Sequence, residues 1–188
     1  MLFRSCDVHR AAQDRDELAG ALAVVALAQP KVLVEIGCDS GGGLWAWGQV
    51  CPRVYGITLE DNAYGTGGSG GVLRTHGVPV HLGSSHAPTA LVWLRGQLAG
   101  DPVDVLVIDG DHSVEGVKAD LADYAPLVAT GGLILLHDID VTNDPRAQVC
   151  HVWPELVERY ETTVIRSTVG RRQGWGIITW TGDDSPWT

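Results

Sequence analysis

Residues 32–60 read VLVEIGCDSGGGLWAWGQVCPRVYGITLE. An apolar run from Val32 to Ile36, a glycine-rich turn, a short helical stretch, a second apolar run from Val54 to Leu59 and a closing acid at Glu60 succeed one another there. This is the order of the nucleotide-binding half of a doubly wound α/β sheet, in which glycines bring the backbone close to a ligand at the mouth of the first strand. Only Glu35 interrupts the first run, as expected of a central strand covered by helices on both faces.

The chain on either side repeats this alternation. Upstream, Asp14 and Glu17 form a capping-box-like start to a helix over 14–28, with Leu18, Leu22 and Val25 at helical spacing and Pro30 ending it. Downstream, Leu44 to Val50 makes the short helix, and the five glycines of residues 64–71 place a loop after the second strand. A short helical piece at Val72 to His76, a third strand at Val78 to Leu82 and a helix at Pro88 to Leu98 follow. The fourth strand, Val103 to Ile108, stops at Asp109. Ser113 caps the next helix, whose stripe of Val114, Val117, Leu121, Tyr124 and Val128 runs to Gly131-Gly132. The fifth strand, 133–136, stops at His137-Asp138. A helix starting at Asp144-Pro145, with a bend or restart at Pro154, leads to an antiparallel hairpin of Thr162 to Ser167 and Trp175 to Trp180. Residues 181–188 read as a flexible tail, and 1–188 as one domain with an N-terminal helical segment over 1–29.

Composition narrows the partners. A net charge of −10 disfavours nucleic acid, which normally requires a basic footprint to replace counterions. No apolar run approaches the ~20 residues that cross a bilayer, so no membrane is expected. The opening residues carry charges of both signs without the apolar core or cleavage site of a signal peptide, which leads us to expect a cytoplasmic protein. The four cysteines, at 6, 38, 51 and 150, show neither a disulfide framework nor zinc spacing.

Ligands of an open parallel sheet bind beyond the carboxyl ends of its strands. Those ends are Glu35 to Gly43, Glu60-Asp61, Gly83 to His86, Asp109 to His112 and His137-Asp138, each polar or glycine-rich. Glu60 stands 23 residues after Gly37, about where an acid reaches a ribose diol. The turn lacks the G-x-G-x-x-G spacing of dinucleotide sites, which argues against NAD and FAD. His81 and His86 flank the serines, with a surface position preferred over lining the ligand pocket, and the tryptophans read as packing residues.

With these motifs on the page, the chain resembles the class I S-adenosylmethionine-dependent methyltransferases, through V-E-I-G-x-x-x-G at 34–41, the acid Glu60 and the terminal hairpin. More narrowly, VDVLVIDGDHSVEGVKADLADYAPLVATGGLILLHDI at 103–139 resembles the Methyltransferase 24-like branch, which groups proteins named cephalosporin hydroxylases with small-molecule O-methyltransferases. The likeness spans roughly residues 30–180. It implies a Rossmann-like seven-stranded sheet of order 3-2-1-4-5-7-6, mostly parallel, with S-adenosylmethionine as cofactor and a small-molecule hydroxyl as acceptor. By the same likeness Gly37 and Gly41 lie against the methionine part, Glu60 holds the ribose, Ser84 or Ser85 sits near adenine, and Glu35 fixes the turn in which Cys38 also lies. Asp109, His137 and Asp138 take the positions that bind Mg²⁺ in metal-dependent relatives, and His112 that of a general base working beside Asp109.

A metal also has a physical case. Asp109 and Asp138 end neighbouring strands ~5 Å apart, where two carboxylates share a cation or repel. Imidazole at 137 departs from the all-oxygen pattern and suits Mn²⁺, Zn²⁺ or Fe²⁺ better than Mg²⁺; either Mg²⁺ is held through fewer protein ligands, or the metal differs, or His137 turns away and only orients Asp138. For His112 the competing reading is a hydrogen-bond network with Asp111 at the helix entry. Two other functions compete with methyl transfer: a cofactor-binding scaffold without catalysis, since few residues remain to build an acceptor pocket, and a hydroxylase using His112, His137 and Asp138 on iron. A catalytic homodimer is expected on the first reading.

Overall fold

The computed structural model describes residues 13–39, 41–59, 77–168 and 173–182. In chain order these form α1 (Arg15–Ala28), β1 (Val32–Ile36), α2 (Gly42–Trp47), β2 (Arg53–Thr58), β3 (Val80–Leu82), α3 (Pro88–Leu98), β4 (Val103–Ile108), α4 (Val114–Tyr124), β5 (Val128–His137), α5 (Val149–Val157), β6 (Thr162–Ile165) and β7 (Trp175–Thr179). The seven strands make one sheet of order β3-β2-β1-β4-β5-β7-β6, parallel from β3 to β5 and antiparallel through the terminal hairpin.

Alternation along the strands sorts the core into two layers. Leu33, Val105, Val107, Leu135 and Ile177 point to α1 and α2, where Leu18, Leu22, Val25, Leu44 and Trp47 meet them. Val34, Ile36, Leu106, Ile108, Ile134 and Leu136 point the other way, to α3, α4 and α5. Central strands covered on both faces explain the unbroken apolar runs. Among the described residues, no helix is long and apolar enough to cross a membrane.

Several boundaries differ from the sequence reading, each for a local reason. Asp14 caps α1 through the Asp16 and Glu17 N–H groups, but Glu17 does not return the bond: it is buried and accepts from the Ser167 N–H at 3.0 Å. Helix α2 begins at Gly42 and ends at Trp47, a shift toward its N-terminus relative to 44–50. Pro126 lacks an N–H, so α4 stops at Tyr124, and Val128 opens β5 instead of closing the helical stripe. Gly131 and Gly132 then lie inside the ten-residue β5, beside a register shift between Val103 and Val105. Helix α5 starts at Val149, because the Asp144 side chain accepts from the Arg146 N–H in a local turn and the Gln148 N–H goes to the His112 carbonyl. Pro154 sits inside α5. The short helix expected at 72–76, the 64–71 loop, most of the hairpin turn and the tail from 183 lie outside the described residues.

Candidate active site

The turn after β1 is the floor of the site. Gly37 has φ +89°, and a Cβ there would collide with the Asp109 carbonyl and the Gly110 Cα. Its N–H donates to the Ile57 carbonyl at 2.8 Å, while the Asp109 N–H donates to the Ile36 carbonyl at 2.9 Å. The ends of β1, β2 and β4 are thereby tied together. Gly41, at φ +84°, closes the turn by donating to the Cys38 carbonyl at 2.7 Å and caps α2. Beneath it the Glu35 carboxyl is buried and accepts from the Trp47 indole N–H at 2.9 Å. Burial pushes Glu35 up to about 8; the Trp47 bond opposes this and the Asp109 charge adds to it, so the carboxyl is mainly neutral at pH 7. Burial likewise pushes the Cys38 thiol up, as befits a small filler and not a nucleophile.

Above the floor lies a cleft of about 450 Å³. At one end Asp109 Oδ1 lies 3.1 Å from His112 Nε2 and 3.0 Å from His137 Nδ1, and Asp109 Oδ2 accepts from the Gln13 amide at 2.6 Å. Asp138 Oδ1 accepts from the Gln173 amide at 3.0 Å and lies 3.5 Å from His137 Nδ1, while Oδ2 is 3.6 Å from His112 Nδ1. Asp138 reaches this position with φ +63°, a left-handed conformation that costs a non-glycine residue about 1 kcal/mol or more. Burial is the largest influence on Asp109 and pushes it up. The His137 charge, with hydrogen bonds from His112 and His137, outweighs burial and holds the carboxyl well below the usual range. For both histidines burial pulls down, but Asp109 and then Asp138 raise them overall.

Whether this cluster fits a divalent cation turns on its donor atoms. One ligand atom each from Asp109, His137 and Asp138 lies within 4.8 Å of the other two. His137 turns Nδ1 to both carboxylates, so the reading in which it points away does not hold, and its buried Nε2 meets no hydrogen-bond partner among the described residues. Two carboxylate oxygens and one imidazole nitrogen fit a divalent metal, with Mn²⁺, Fe²⁺ or Zn²⁺ matched better than Mg²⁺.

The other end of the cleft is formed at the ends of β2 and β3, by Ile57, Leu59, Ser84, Ser85 and His86. Thus Gly37, Cys38, Ser84, Ser85, Asp109, His112, His137 and Asp138 all line one space, whereas Glu35 and Gly41 stand behind the turn and Glu60 lies outside the described residues. The competing network at the entry of α4 exists as well, with Asp111 Oδ1 accepting from the Ser113 N–H, but the His112 imidazole is turned to the two carboxylates. Gln13 and Gln173 escaped the sequence reading: they carry no motif and reach the carboxylates from 96 and 35 positions away. His86, for which a surface position is the preferred sequence reading over the adenine pocket, lines the cleft.

This strand order, the glycine turn and the acidic strand ends define the class: an α/β S-adenosylmethionine-dependent methyltransferase. A family model described as Methyltransferase domain (Methyltransf_24) matches residues 34–139, more than half of the chain, and the chain belongs to that family. No curated protein matches it. Among solved structures it is similar to the O-methyltransferase TomG of Streptomyces achromogenes, involved in tomaymycin synthesis and bound to S-adenosylmethionine, with TM-score 0.68, 18% identity, and 96% and 89% of the two chains covered. It is similar too to MycE of the mycinamycin biosynthetic pathway, bound to Mg and S-adenosylhomocysteine, with TM-score 0.65 and 15% identity, 97% of this chain covering 55% of that one. An rRNA methylase of Streptococcus thermophilus gives TM-score 0.65 at 10% identity, covering 87% of this chain and 96% of the other. At such identities the likeness is one of fold.

Proposed function

We propose that this chain methylates a hydroxyl group of a small molecule, with a divalent cation held by Asp109, His137 and Asp138 and with His112 as general base. The observation that carries this reading is the convergence of His112 with two carboxylates at one end of the cleft that opens over the glycine turn. The net charge of −10 favours a small acceptor over RNA.

S-adenosylmethionine would supply an electrophilic methyl group on its sulfonium, and a divalent cation held by Asp109, His137 and Asp138 would acidify a hydroxyl beside it. The backbone of Gly37, Cys38, Asp39, Gly42 and Gly43 forms the wall against which the methionine part lies, and Ser84 and Ser85 stand near the base. His112 keeps Nε2–H on Asp109, and its Nδ1, with only the looser 3.6 Å contact to Asp138, takes the hydroxyl proton. Asp109 stays ionised and stabilises the imidazolium that results. Gln13 and Gln173 orient the two carboxylates through their amide N–H groups. An iron hydroxylase would require two histidines and one carboxylate as ligands; the grouping here is one histidine and two carboxylates.

Calorimetry with S-adenosylhomocysteine tests the cofactor, and absence of binding at millimolar concentration would sink the proposal. For the cation, Mn²⁺ should raise the melting temperature of the unmodified chain, and Asp138→Asn should abolish that rise. An equal rise in the variant refutes the ligand assignment.

A further inference from the structure

Behind the acidic end of the cleft, a row of three side chains crosses the sheet beneath α1. His137 pairs with Trp175 and Trp175 with Ile165 in the registers of β5, β7 and β6, so the three share the face that α1 covers. The His137 and Trp175 rings are 4.5 Å apart at their centroids. The helix sits close on this row, since Gly20 has no room for a Cβ against Ile165. Gln13, just ahead of α1, reaches Asp109 at the end of β4, and Glu17, four residues on, reaches the Ser167 N–H beyond β6. Strands β5 and β7 lie between those two points, which puts the Glu17 carboxylate over the His137 end of the row.

Three polar atoms enclosed there have no partner among the described residues: Glu17 Oε2, Trp175 Nε1 and His137 Nε2. All three side chains are buried, where unpaired polar atoms are unfavourable. Their types are complementary. An indole N–H only donates, a carboxylate oxygen only accepts, and an imidazole nitrogen does one or the other according to its tautomer. The charge of Glu17 also reaches the ring: burial lowers His137, Asp109 and Asp138 raise it, and Glu17 raises it further. A single water satisfies all three atoms by accepting from the two N–H groups and donating to Oε2, and enclosed waters typically make about three such bonds.

The scheme above gives Nδ1 of His137 to a cation and leaves the opposite nitrogen without a duty. With a cation on Nδ1 the ring keeps one hydrogen, on Nε2, and an acceptor for that hydrogen fixes both the tautomer and the direction in which Nδ1 points.

We propose that Glu17 is the positioning residue for His137, taking its Nε2–H through one enclosed water shared with the Trp175 indole and so aiming Nδ1 at the cation. This rests on the cation assignment made above. The first helix then supplies part of the metal centre without touching the metal.

The test is calorimetry of Mn²⁺ binding to the full chain in a cycle of Glu17→Gln and His137→Asp. Glutamine keeps a carbonyl for the Ser167 N–H and puts a donor where Oε2 accepts. Glu17→Gln should weaken Mn²⁺ binding roughly 10- to 100-fold. With His137→Asp in place there is no ring to aim, and the same change should cost at least about fivefold less. A carboxylate that acted only through its charge, or only by seating α1, would weaken both backgrounds alike, so equal losses overturn the proposal. Undiminished affinity in Glu17→Gln overturns it too. If a variant does not fold, proton NMR of the unmodified chain loaded with Zn²⁺ decides: a downfield, slowly exchanging His137 ring N–H is expected, and its absence overturns the role of Glu17. Those outcomes leave the cation assignment standing, whereas failure of the unmodified chain to bind Mn²⁺ overturns both.

Discussion

Glu35→Gln isolates the consequence of burying a carboxyl beneath the cofactor turn. Glu35 sits in the central strand β1, 1% exposed, with Oε1 on the Trp47 indole and Oε2 without a partner among the described residues. Its acidity shifts from 4.5 to about 8, for which burial is the leading cause. Below pH 4.5 both the folded and the unfolded chain hold the proton, and the full contribution to stability is present. Above it the unfolded chain releases the proton while the folded chain retains it, so stability falls with rising pH until the folded carboxyl ionises near 8. At about 1.4 kcal/mol per decade the whole shift is worth roughly 5 kcal/mol, of which about 3.5 kcal/mol is lost between pH 5 and pH 8. Glutamine keeps the carbonyl that Trp47 donates to and cannot titrate. Urea unfolding of both chains at pH 5 and pH 8 should therefore show Glu35→Gln gaining about 3.5 kcal/mol on the parent over that interval, a large fraction of a typical domain stability. Parallel stability curves for the two chains would refute the claim that Glu35 is neutral in the fold.

Other expectations are read more directly. His112→Gln should lower the turnover number by roughly 10²- to 10⁴-fold while S-adenosylhomocysteine affinity stays within twofold; a loss confined to affinity would remove the base assignment. Gly37→Ala forces a Cβ into the Asp109 carbonyl at φ +89° and should cost about 3 kcal/mol or more in denaturant unfolding, whereas an unperturbed midpoint would show that the turn relaxes. His137→Asp makes the donor set all oxygen, so the cation giving the larger rise in melting temperature should change from Mn²⁺ to Mg²⁺, and an unchanged order would dismiss His137 as a ligand.

The residues that could be read in advance were those whose chemistry is local. Val32 to Glu60 disclosed the first crossover because a glycine turn between two apolar strands has few other uses, and the strand ends at 109 and 137–138 marked the mouth of the site. Helix limits were less legible. Gly131-Gly132 looked like a helix stop, but Pro126 had already ended α4, and Asp144-Pro145 looked like a helix start, but the Asp144 side chain spends its acceptor on a local turn. The residues that complete the cleft were not legible at all. Gln13 meets Asp109 only because α1 packs on the sheet, and Gln173 meets Asp138 only because the hairpin folds back beside β5. No periodicity records a contact across 96 positions, and nothing in the sequence around His86 shows that a buried aspartate on α4 stands behind it.

The backbone lock between Gly37 and Asp109 sets the mechanical tolerance of the whole centre. Since the turn of β1 touches the carbonyl of Asp109 with no side chain between them, the separation between the wall of the cleft and the Asp109 backbone is a dimension of the sheet itself, and Gln13, His112 and His137 hold the carboxylate on that backbone. Lengthening that side chain by one methylene, as in Asp109→Glu, moves the carboxylate by ~1.5 Å against a frame that cannot recoil. The gauge is cut into the scaffold, and the amides of Gln13 and Gln173 reach in to it from elements far apart in the chain.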